Sequence, residues 1–145
     1  MDTREAMLAL DAKQSAERDL AAAAHCPAWR HGVFGIMMGA MVASPAVALP
    51  WRYFVLAFAL AAIPLIVRSD RKRTGMFING YRRGKTRLVT FAILAALLVL
   101  YTLSVRAALS NGDHLTPLLL GIAAAVLATL GSIQWQRVFV REMGA

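Results

Sequence analysis

The chain has 145 residues, 59% of them hydrophobic and 17% charged, with a formal net charge of +8. Soluble domains run nearer half apolar and a quarter charged, so both departures point to a membrane protein rather than a soluble enzyme. The single cysteine excludes an internal disulfide framework and an all-cysteine metal site.

In chain order, Asp2 followed by Glu5 imitates a capping box, and alanine-rich sequence predicts a helix to Ala24, closed off by Pro27. Leu8, Ala12, Ala16 and Leu20 form a thin apolar stripe, and Lys13 and Glu17 are placed to pair one turn apart. Five acids oppose four basic residues before the first apolar run, so this helix lacks the basic face of a lipid-surface helix. It reads as a solvated cytosolic lead, with a partner-binding or dimerising helix as the other reading. No cleaved signal peptide is expected.

His25, Cys26 and His31 are the candidate metal ligands. Three groups within seven residues, with Pro27 breaking the helix that would align them, make a poor site. No span interior holds a histidine for a haem. Neither a metal nor another cofactor is expected.

Four apolar runs follow, at 32–49, 51–67, 88–105 and 115–133. At about 1.5 Å rise per residue, each covers roughly 26–29 Å, close to the hydrocarbon thickness of a bilayer. The expected fold is all-α: a four-transmembrane-helix bundle with an N-terminal cytosolic helix and a small cytoplasmic cap or hairpin between helices 2 and 3. Its parts are residues 1–31 as cytosolic lead, 32–135 as membrane domain and 136–145 as tail. Pro45 and Pro64 predict a bend in each of the first two spans. Gly35, Gly39 and Ala43 form a small-residue ladder in the first span, and Gly121, Ala125 and Thr129 another in the fourth. A second face of the fourth span carries Ala124, Ala128 and Ser132. Two ladders on one helix favour a homo-oligomer or a larger inner-membrane complex.

The loop at 68–87 carries eight of the sixteen basic residues and one acid, Asp70. Asn79-Gly80 within it predicts a hairpin, because a type I′ turn needs positive φ twice. Arg71, Arg73, Arg82, Arg83, Lys85 and Arg87 are the candidate ligands for anionic headgroups of membrane phospholipid. The segment Gly80–Thr86 ends like a phosphate-binding P-loop, but it has three residues between its glycines where four are needed. Nucleotide hydrolysis is set aside. The N–H groups at the start of the third span, with Lys85, Arg82 and Arg83, still suit a lipid phosphate.

Fourteen basic residues fall on one side of the four runs, leaving only Arg52 and Arg106 on the other. The positive-inside rule then puts both termini and the central loop in the cytoplasm, and makes the charge a matter of topology rather than of nucleic acid.

The block Arg73-Thr-Gly-Met-Phe-Ile-Asn-Gly-Tyr-Arg-Arg-Gly-Lys-Thr-Arg87, with the lead Pro27-Ala-Trp-Arg30, resembles small uncharacterised bacterial four-helix inner-membrane proteins. The resemblance implies architecture and a bacterial inner-membrane location, and no activity. Small multidrug-resistance exporters differ, since they carry an acid in the first span and this chain has none there.

No Asp, Glu, Lys, Arg or His lies in the middle of any run, which weighs against proton-coupled transport and against an enzyme. An acid/base centre would need Asp70, Tyr81 and His31 to converge beside the arginines. The reading is a structural, regulatory or interaction subunit with a lipid-binding basic face. The alternative is a small-molecule or lipid transporter or channel without an intramembrane ionisable coupling residue.

Overall fold

A computed structural model describes residues 2–23, 26–74 and 84–143, and all of its regular structure is helical. Five α-helices follow one another: α1 (Thr3–Ala23), α2 (Ala28–Ala43), α3 (Leu49–Thr74), α4 (Lys85–Asn111) and α5 (Leu115–Glu142). Three of them, α3 to α5, are long and apolar enough to cross a membrane. The hairpin expected around Asn79-Gly80 lies outside the described residues.

The run expected as one span at 32–49 is divided. Helix α2 stops at Ala43 after 16 residues, a 3-10 turn occupies Ser44–Ala46, and α3 begins at Leu49. Pro45 is the physical cause, because it has no N–H to continue the ladder. It therefore ends α2 instead of bending it. The Met41 carbonyl, deprived of that donor, accepts from the Ser44 N–H and from Ser44 Oγ at 2.8 Å. The second proline, Pro64, is accommodated inside α3, which runs on to Thr74.

The carbonyls at the end of α2 and its 3-10 turn are held by three other elements. Ser104 Oγ of α4 donates to Val42 O at 2.6 Å, Arg52 Nη2 of α3 to Pro45 O at 3.0 Å, and His114 Nδ1 to Ala46 O at 2.8 Å. Terminal carbonyls have no intrahelical partner, so each of these donors satisfies a group that would be costly to leave dry.

Helices α2 and α5 form the most extensive interface, followed by α4 and α5. They run antiparallel, with Gly35 against Thr129, Gly39 against Ala125 and Ala43 against Gly121. A Cβ on Gly39 would lie 2.7 Å from both Ala125 Cβ and Gly121 O, so only glycine permits this backbone approach. Ala124 and Ala128, on the neighbouring face of α5, are fully buried with Leu97 of α4 and Val42 of α2. Both small-residue ladders of α5 are thus filled within one chain. Close packing of small residues is how apolar helices associate where no water is available to be expelled.

Helix α3 is different. It packs only against α2 and the 3-10 turn to any extent, and Ala59 is its one buried residue among those described. Its ends are tied: Arg52 at the first turn to Pro45, and Asp70 near the last to Arg30 of α2. Most of the described side chains of helix α1 are exposed, and it carries the Lys13–Glu17 pair at 4.0 Å.

A turn at 112–114 joins α4 to α5. Gly112 adopts φ +60°, the left-handed conformation that glycine tolerates at a helix C-terminus. Asp113 then caps α5, its carboxylate accepting from the Leu115 N–H at 2.8 Å, the Thr116 N–H at 3.3 Å and the Thr116 hydroxyl. These three donors hold its carboxyl below the usual range for an aspartate, the Thr116 hydroxyl contributing most.

Candidate functional site: the basic end

Antiparallel packing gathers the start of α2, the end of α3, the start of α4 and the end of α5 at one end of the molecule. Arg30, Arg68, Arg71, Lys72, Lys85, Arg87, Arg137 and Arg141 all lie there, while Arg52 and Arg106 are near the opposite end. Three groups of contacts organise this end.

First, Arg30 on α2 forms an ion pair with Asp70 of α3, and its Nη1 donates to Cys26 Sγ at 3.1 Å. The pair is largely sheltered, with side chains 30% and 14% exposed, which strengthens it relative to a surface pair. Second, the next residue, His31, points to α5. Its Nδ1 lies 2.8 Å from Ser132 Oγ and its Nε2 2.8 Å from Gln136 Oε1. Since an amide oxygen only accepts, Nε2–H is the donor there, and in the neutral ring Nδ1 accepts a hydrogen bond from the Ser132 hydroxyl. Consecutive residues of α2 therefore bind α3 and α5 on separate faces. Asp70 bonds to Arg30 and His31 to α5, and Tyr81 lies outside the described residues.

Third, Glu142 at the end of α5 reaches the first turn of α4, where its carboxylate accepts from the Lys85 N–H. The first turn of α4 holds Lys85 and Arg87 and no acid, an arrangement that the helix dipole disfavours. Glu142 supplies the missing negative charge. Gly84 makes room for it: at φ +143° it caps the helix, and a Cβ there would meet Glu142 Oε2 at 2.6 Å. The helix start assigned to a lipid phosphate by sequence is thus met by a carboxylate of the chain itself.

Of the residues expected to bind headgroups, Arg71 lies on α3, exposed, and Arg73 falls within its last turn. Lys85 and Arg87 are exposed on α4, with the Arg87 guanidinium 5.4 Å from the Phe91 ring centroid. Arg82, Arg83 and His25 lie outside the described residues. Gly35, Gly39, Ala43, Gly121 and Ala125 meet at the α2–α5 interface. Sequence reasoning counted Arg137 and Arg141 among the basic residues of this side, but missed the contacts that Ser132, Gln136 and Glu142 make here. The usable signal was the polar run Gln134–Glu142 directly after an apolar run on one continuous helix.

Comparison with protein-family models, with curated proteins and with solved structures finds no match.

Proposed function

We propose that this is a multi-pass membrane protein, with four passes and both termini in the cytoplasm of a bacterium, acting as a structural or interaction subunit. In this reading its basic end rests among anionic headgroups. The length of α2 supports a fourth pass: 16 α-helical residues and a three-residue 3-10 turn cover about 30 Å together, close to the hydrocarbon thickness. Exposed Trp29 at the start of α2 and Trp51 at the start of α3 sit at opposite ends, as interfacial anchors do.

The observation that carries the subunit reading is the loose attachment of α3. Helix α3, tied at its two ends and buried at Ala59 alone between them among the described residues, leaves exposed flanks, including Phe54, Phe58 and Leu65, for helices of another membrane protein. Photo-crosslinking in native membranes tests this. A benzophenone amino acid at Phe58 should give one discrete protein adduct, whereas the same probe at the exposed Leu98 of α4 should label lipid. Lipid adducts alone from Phe54, Phe58 and Leu65 would overturn the proposal.

A further inference from the structure

A groove of about 550 Å³ opens between the start of α2 and the end of α5. Ala28, Ile133 and Val140 make it apolar, and His31, Gln136, Arg137 and Arg141 supply its polar groups. Cys26, the only cysteine of the chain, is buried in the wall. Arg137 and Arg141 are one helical turn apart, both exposed, and neither has an ion-pair partner among the described residues. Among the described residues of α2 to α5, the two carboxylates at this end are both engaged: Asp70 by Arg30 and Glu142 by the α4 N-terminus.

The hydrogen-bonding polarity of the groove follows from its neighbours. His31 takes the amide oxygen of Gln136, which leaves the Gln136 NH2 group as a donor. With the two guanidinium groups, the groove offers donors and positive charge beside an apolar strip. Such a site suits an oxyanion attached to a hydrocarbon tail, since guanidinium pairs bind phosphate oxygens in a planar fork. Its level in the fold agrees, because Ile133 closes the apolar run of α5 and Arg137 lies one turn beyond it.

We infer that this groove binds one anionic phospholipid, with its phosphate on Arg137 and Arg141 and its glycerol and acyl region over Ile133 and Ala28. The inference rests on the membrane reading above, and it places specific binding on α5 instead of the 68–87 segment. Free inorganic phosphate shares the headgroup chemistry and lacks the tail.

Native mass spectrometry of the full chain, released from nanodiscs containing phosphatidylglycerol and phosphatidylcholine, tests the site. The unmodified protein should retain one phosphatidylglycerol in preference to phosphatidylcholine. The double variant Arg137→Gln/Arg141→Gln should bind it about tenfold more weakly or worse, as loss of two charge-assisted contacts implies. The loop variant Arg71→Gln/Lys85→Gln/Arg87→Gln should retain it. Ile133→Trp, which fills the groove without changing charge, should also release it, and this variant guards against a folding defect in the first. Bound phosphatidylglycerol should also slow maleimide labelling of Cys26 in the unmodified protein. Unchanged retention in both groove variants, with loss in the loop variant, would overturn the groove and leave a lipid-binding basic end standing. Retention unaffected by any variant, or no preference for the anionic lipid, would overturn both. Full competition by millimolar inorganic phosphate would replace the lipid with a free anion as the ligand.

Discussion

Ser104 of α4 donates its hydroxyl to the Val42 carbonyl of α2 across 2.6 Å, and the Ser104 side chain is fully buried. This bond crosses between helices at the turn where Pro45 has ended the α2 ladder. Ser104→Ala should lower stability by about 0.5–2 kcal/mol, the range found for hydrogen bonds between membrane helices. Unfolding of the detergent-solubilised protein in graded denaturing detergent measures it. Thr102→Ala, whose hydroxyl bonds within its own helix to Val99 O at 2.8 Å, should have the smaller effect.

Two glycines of α2 separate backbone preference from packing. At Gly39→Ala the new methyl would meet Ala125 and the Gly121 carbonyl, and a loss of about 1–3 kcal/mol is expected from overpacking. At Gly32 nothing lies within 4 Å of the added Cβ, so Gly32→Ala should stabilise by about 0.5–1 kcal/mol through helix propensity. Opposite signs in one unfolding assay are the expected result.

The Arg30–Asp70 pair ties the end of α3 to α2. Arg30→Gln or Asp70→Asn should each broaden the distance distribution between spin labels placed on α2 and α3. The cost should be of the order of 1–2 kcal/mol, between the values for exposed and buried pairs. The double variant should cost little more than either single one, because the interaction is already lost.

Asp113 carries a pH dependence whose sign is set by its capping bonds. Its folded carboxyl titrates below the usual aspartate value, so its contribution is complete above about pH 4 and is lost as pH falls through the folded value. Asp113→Ala should lower the Tm near neutral pH and should converge with the unmodified protein in strong acid. Parallel curves down to pH 2 would show that the carboxylate is not the source.

How much of this was legible beforehand divides along a physical line. The apolar runs that became α4 and α5 were visible because a bilayer-length stretch without charge admits few other folds. The Lys13–Glu17 pair followed from helical spacing alone. The ladder residues Gly35, Gly39, Gly121 and Ala125 were recognisable as small faces, although their sequence could not say whether one chain or two would fill them. The end of α2 was misjudged because Pro45 was read as a bend in a longer helix, and a single missing N–H here stops it. The contacts of His31 with Ser132 and of Glu142 with Lys85 were invisible. Each joins residues more than fifty apart, and depends on the rotation of one helix against another, which periodicity does not encode.

The most extensive interface joins α2 to α5, and α3 and α4 stand between them in the chain. During synthesis α2 therefore emerges well before the surface that its glycines fit, and the intervening helices must enter the membrane while that face is unmatched. Assembly by translation order and assembly by packing strength are consequently different sequences of events, as they are in any topology dominated by distant contacts. A ribosome-stalled chain ending after α4 should leave a photo-crosslinking residue in place of Val42, which packs with Ala124 and Ala128 of α5, free to capture other membrane components, and release of the full-length chain should reduce that capture.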